Sequence, residues 1–198
     1  MVEITKYGNF KKFEKNKKKN QIILCDSFRS SIPYLEGLKN RLNGKYDKIP
    51  NYFITKEGKI LNLLSDDSYS NYFDNTEINV HSIIICLENL GWVRKIPLSP
   101  KYYNWIDDIY LGETYEKKWR GHIFWDKYSE EQIESLINLC KKLLKKFSIK
   151  NKFIGHNTKV DGVQIFNGVV CRSNYNTRYV DPNPSFNFEY FKKNIENE

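Results

Sequence analysis

The sequence has no run approaching the ~20 consecutive apolar residues of a membrane helix, so a spanning helix is excluded. Its N-terminus also lacks a charged region followed by an apolar one and a small-residue cleavage site, so the chain is expected to carry no signal peptide and to be made in a cytoplasm. Cysteine is sparse: Cys25, Cys86, Cys140 and Cys171 are scattered without a CxxC pair, which points to thiols in a reducing compartment rather than a disulfide framework. There is no internal repeat. No RNP, helix-turn-helix or zinc-finger pattern occurs, so nucleic acid is not the expected partner, although the net charge of +8 suits an anionic one. Alanine is absent altogether while lysine, asparagine, isoleucine and tyrosine are abundant. An AT-rich coding sequence produces that balance.

A chain of 198 residues buries about 70% of its unfolded surface and suits one domain. Residues 1–20 read as a basic N-terminal arm, because KKFEKNKKKN at 11–20 cannot bury itself and is expected to be solvated; 21–198 is the folded part. QIILC at 21–25 has strand length. SSIPYLEGLKNRL at 30–42 has helical spacing of Ile32, Leu35, Leu38 and Leu42, with Pro33 in its first turn and Gly44 as its stop. NYFITKEGKILNLL predicts a hairpin with strands at 51–55 and 59–64. HSIIICLENL at 81–90 is apolar almost without alternation, the mark of a strand buried on both faces.

Residues 91–125, with eight tyrosines and tryptophans, read as a long irregular segment, either a glycan-stacking surface or a satellite core. Ser129 then opens a helix to 147 with a capping box, SEEQ, and one apolar stripe from Ile133 to Phe147. A short strand is expected at 152–156, then a loop, then a brief C-terminal helix. The fold class is α/β, a single domain with a mixed central β-sheet flanked by helices.

Taken in order, IILCDS, NYFITKEGKIL, HSIIICLEN, YYNW, WRGHIFWDKYSEEQIESL, FIGHN, RSNY and DPNPSFNF resemble the type 2 N-acetylmuramoyl-L-alanine amidases, the zinc-dependent peptidoglycan hydrolases that include phage lysozyme-like amidases and the peptidoglycan recognition proteins. The resemblance runs from about residue 21 to 190. It implies zinc as cofactor, peptidoglycan or its muropeptides as partner, and action on the cell wall. Together with the composition it points to a bacteriophage or low-GC bacterial source.

The resemblance also assigns positions. His156 and Asp181 match two of the three zinc ligands, and Cys25 stands where the first ligand, a histidine, belongs; an open site of this kind makes bound water acidic. Cys86 replaces the glutamate general base, and Pro50 stands near a tyrosine that serves instead in some phage members. Tyr179 replaces an oxyanion-stabilising lysine, with Arg178 as its neighbouring substitute. Trp92, Trp119 and Asn157 fall at the substrate-binding surface. Read from the residues alone, His156 is a core histidine, Asp181 before Pro182 a turn initiator, Cys25 and Cys86 apolar fillers, and His81 and His122 structural.

Two expectations follow for function. One is a peptidoglycan-directed amidase relative with weakened or lost catalysis, in which Cys25, His156 and Asp181 converge and Cys86 is available to close a four-coordinate zinc site. The other is a non-catalytic protein on the same fold, a virion component or host-protein-binding factor, for which a blocked cleft would speak.

Overall fold

The computed structural model describes residues 3–14, 18–97 and 99–197. In chain order these form β1 (Ile4–Lys6), β2 (Phe13–Glu14), β3 (Gln21–Asp26), α1 (Ser31–Asn40), β4 (Tyr52–Ile54), β5 (Ile60–Asn62), β6 (Ser68–Tyr69), α2 (Thr76–His81), β7 (Ser82–Leu87), β8 (Trp92–Lys95), β9 (Tyr102–Tyr103), β10 (Ile109–Tyr110), β11 (Thr114–Trp119), β12 (His122–Asp126), α3 (Glu130–Phe147), β13 (Gly168–Cys171) and α4 (Phe188–Glu196). A six-stranded mixed sheet runs β1-β5-β4-β7-β3-β13. Its centre is parallel, with Cys25 of β3 opposite Cys86 of β7.

The unbroken apolar runs place β3 and β7 in the middle, because both of their faces are covered. Ile22, Leu24, Ile83, Ile85 and Leu87 pack against α3 and α4, where Leu136, Leu143 and Phe191 face them. Ile23, Cys25, Ile84 and Cys86 point the other way, toward Leu35 and Leu38 of α1. The hairpin β4–β5 turns at Gly58, with φ of 77°; a Cβ there would lie 2.6 Å from the Glu131 carbonyl of α3, so only glycine fits.

The Ser129 hydroxyl accepts from Gln132 N at the start of α3. Gln132 does not complete the expected capping box. Its amide turns into the core and donates to the carbonyls of Ile54 and Glu88, at 2.9 and 3.0 Å, tying the helix to two strands. The strand expected at 152–156 is reduced to one bridge, Phe153 to Val169.

Two segments differ from expectation. Residues 91–125 are no irregular loop: with β12 they form a second, five-stranded antiparallel sheet, β10-β9-β8-β12-β11. Nor is the described part of 1–20 a free arm, for β1 pairs with β5 at the edge of the main sheet and β2 pairs with β6; residues 15–17 lie outside the described residues. Lys19 is buried, donating to the carbonyls of Val80 and Ser82 at 2.9 Å each and of Ser68 at 3.4 Å.

Burial lowers the Lys19 pKa from 10.5 to about 8, against the pull of Asp67 and Asp66. A lysine depressed in the folded state binds fewer protons there than in the unfolded chain between these values. Folding stability contributed by Lys19 therefore rises as pH increases from 8 toward 10. Urea unfolding across that range is expected to show this slope in the wild type and to lose it in Lys19→Met; identical slopes would contradict the assignment.

Candidate functional site

The C-terminal ends of β3 and β7 and the segment after β13 carry most of the expected site residues. Cys25 and Cys86 are both fully buried on the α1 side. The Cys25 sulfur lies 2.9 Å from the Tyr72 hydroxyl and donates to the Ile85 carbonyl at 3.5 Å. Tyr34 stacks on Phe53, with ring centroids 4.9 Å apart. Burial, then the neighbouring Cys25, pushes the Cys86 thiol well up, so it is held protonated. A protonated thiol is not a general base.

At the end of β3, Asp26 and Asp181 are buried together. Asp26 N donates to Asp181 Oδ2 at 3.0 Å, and the Tyr128 hydroxyl bonds to the Asp26 carboxyl at 2.8 Å. Burial, then the charge of Asp181, raises the Asp26 pKa well above the usual carboxylate range. Burial also raises that of Asp181, but here Arg172 pulls it back. Arg172, just after β13, brings its Nε within 2.7 Å of Asp181 Oδ2; its side chain is 18% exposed and that of Asp181 0%. Its guanidinium lies 4.6 Å from the Tyr179 ring centroid and 5.7 Å from that of Phe28.

His156 does not join them. It is exposed, and its Nδ1 is engaged by Thr158, 2.9 Å from the hydroxyl and 3.3 Å from the backbone N–H that donates to it. Among the described residues no group of three or more histidine, cysteine, aspartate or glutamate side chains is arranged to hold a metal ion. The expected trio of Cys25, His156 and Asp181 therefore does not fit zinc: one thiol is bound to a phenol, the imidazole faces solvent, and the carboxylate is paired with an arginine. The four-coordinate arrangement with Cys86 fails for the same reason.

The remaining positions are accounted for as follows. Tyr179 lies under Arg172 rather than presenting a cation, while Arg178 is exposed, with its backbone N–H bonded to Asn176 Oδ1 at 2.9 Å. Pro50 is buried. Glu88, two residues beyond Cys86, is a nearby carboxylate, but it accepts from Ser31 N at 2.7 Å and Lys56 N at 3.1 Å and thereby anchors the start of α1. Trp92 stacks on His122 at 4.5 Å. His81 bonds through Nδ1 to the Lys18 carbonyl at 2.8 Å. The Asn157 amide donates to the Pro182 carbonyl at 3.0 Å.

A cleft of about 500 Å³ opens beside this cluster, walled by Tyr115, Lys117 and Trp119 of β11 and by His156, Asn157 and Phe188. An aromatic wall with polar groups opposite is the usual construction for holding an amphipathic ligand such as a sugar. Arg120, in the β11–β12 turn next to Trp119, donates to the carbonyls of Thr177 (2.5 Å), Tyr179 and Asn157 (3.4 Å). Sequence reasoning missed Asp26, Tyr72, Arg120, Tyr128 and Arg172, whose roles depend on pairings across the sheet.

A family model described as N-acetylmuramoyl-L-alanine amidase matches residues 14–182. No curated protein matches by sequence. Among solved structures, N-acetylmuramoyl-L-alanine amidase LysC from Clostridium intestinale URNW is 13% identical, with 98% of each chain covered and a TM-score of 0.59. AmiD from E. coli, solved with anhydro-N-acetylmuramic acid-L-Ala-D-gamma-Glu-L-Lys, is 17% identical over 90% of this chain and 58% of its own, with a TM-score of 0.60. Staphylococcus aureus hydrolase AmiA, solved with its ligand, is 13% identical over 98% and 81%, with a TM-score of 0.57. At these identities the likeness to solved structures establishes the fold.

Proposed function

Because the chain belongs to the N-acetylmuramoyl-L-alanine amidase family, we propose that it is a peptidoglycan-directed protein that binds wall fragments without hydrolysing them through zinc. What supports the second half is that among the described residues no group of three or more histidine, cysteine, aspartate or glutamate side chains is arranged to hold a metal ion. Zinc would supply an acidic water and a Lewis acid for the amide between N-acetylmuramic acid and L-alanine, and among the described residues no set fits it. The binding half rests on the family and on the aromatic cleft beside His156. An excess of lysine and arginine over acidic residues, 32 against 24, favours approach to an anionic wall. The alanine-free composition supports a phage or low-GC bacterial source, and wall contact then follows release or carriage on a particle.

In this reading Trp119 and Tyr115 present ring faces to a glycan, and Asn157, held by Pro182 and Arg120, fixes the opposite wall. Purified sacculi are expected to co-sediment the protein. Trp119→Ala is expected to weaken retention about tenfold, the effect of losing about 1.4 kcal/mol of stacking and burial. Failure of the wild type to sediment with sacculi, or an unchanged Trp119→Ala variant, would reject the reading.

A further inference from the structure

We infer that Arg172 is the resident cation of this site: its guanidinium takes over the electrostatic task that a metal performs in a zinc amidase, making the site permanently metal-independent. The inference rests on the family reading above and deepens it. Three observations carry it.

The first is the charge to be balanced. Asp26 and Asp181 are 3% and 0% exposed, and the Asp26 backbone N–H is already directed at Asp181 Oδ2. Two carboxyl groups this dry, the charge of one raising the pKa of the other, require a cation, or a proton on one of them. Arg172 Nε stands 2.7 Å from Asp181 Oδ2. The Nε–H itself is not aligned for a hydrogen bond, and Asp181 Oδ1 accepts none among the described residues; the attraction of the guanidinium nonetheless pulls the Asp181 carboxyl down against its burial.

The second is how the guanidinium is held. Tyr179 and Phe28 flank it, and Arg120 fastens the backbone carrying Tyr179 to the β11–β12 turn. Aromatic faces hold a planar, weakly hydrated cation well, and arginine keeps its charge at every pH the fold survives. The third is the condition of the other candidate ligands. Cys25 is engaged by Tyr72 and Ile85, and His156 is exposed with its Nδ1 engaged by Thr158; among the described residues neither forms a three-ligand group with Asp181. A guanidinium also has no vacant coordination position at which water could be bound and made acidic, so the exchange of cations retains the balance of charge and removes the nucleophile.

The test uses the full chain. In a chelator-competition titration the wild type is expected to take up no zinc, and its melting temperature is expected to be unchanged by EDTA. Arg172→Ala is expected to melt about 10 °C lower or more, to recover part of that loss in millimolar methylguanidinium, and to gain nothing from zinc. Arg172→Lys, which keeps a charge without the planar fork, is expected to fall between. One zinc per wild-type chain, lost in Asp181→Asn, would overturn the inference, as would an Arg172→Ala protein that melts with the wild type. Should Arg172→Ala fail to fold, it is refolded with each cation separately: recovery with methylguanidinium alone supports the assignment, and recovery with zinc alone or with neither overturns it. Retention on sacculi is read independently, so its absence alongside these results would remove the wall-binding function and leave the cation in place.

Discussion

Arg172→Met is expected to destabilise the fold by about 3–5 kcal/mol, the usual consequence of removing one partner from a buried ion pair. The magnitude follows from what remains. Asp181 would keep its position at 0% exposure, with Oδ2 still facing the Asp26 N–H and only the more distant Arg120 left to offset its charge. Methionine fills a similar volume between Tyr179 and Phe28, so packing is nearly preserved and the deficit is electrostatic. Adding Asp181→Asn removes the stranded charge and is expected to restore part of the loss, a coupling that a purely steric role for Arg172 would not produce. Chemical denaturation of the two single variants and the double variant measures this. A single-variant loss below about 1 kcal/mol, the range of an exposed pair, would contradict it.

The second large effect is expected at Asp126, the last residue of β12, which joins the two sheets. Its side chain accepts from Lys56 Nζ (2.9 Å), the Tyr110 hydroxyl (2.8 Å) and Leu90 N (2.7 Å). Its carbonyl accepts from Asn89, Asn183 and Ser185. The residue is 3% exposed. Asp126→Ala leaves the buried Leu90 N–H without its acceptor and reduces the Tyr110 hydroxyl and the Lys56 ammonium to the carbonyls of Glu113 and Lys127, at an expected cost of about 2–3 kcal/mol. Because β12 also holds β11 through the Tyr115–Trp125 and Thr114–Asp126 pairings, the cleft wall carrying Trp119 should loosen with it. Unfolding midpoints and sacculus retention are both expected to fall. A stable variant with normal retention would show that the second sheet is positioned by other contacts.

How much of this was legible beforehand varied with the kind of residue. The β3 and β7 runs are so uniformly apolar that only a doubly covered sheet centre accommodates them, and the α3 stripe with its acidic start and basic end fixes a long helix. The second sheet was obscured because a strand such as TYEKKW is mostly exposed and offers no apolar alternation to read. Likewise β1 joins the main sheet through three residues of backbone pairing, in a neighbourhood where lysines dominate the pattern. In the site, the order of motifs identified the family, yet ligand identity depended on where each side chain points. His156 sits in its expected place in the order of motifs and faces solvent, whereas Arg172, nine positions before Asp181 and without a metal-ligand signature, supplies the charge.

Measuring the release of new L-alanine amino groups from purified sacculi, with zinc added and with zinc chelated, tests the central claim most directly. The account predicts no release above the protein-free control under either condition, from a preparation that demonstrably sediments with the same sacculi. Sustained release in the presence of zinc, abolished by chelation and by His156→Ala, would contradict it.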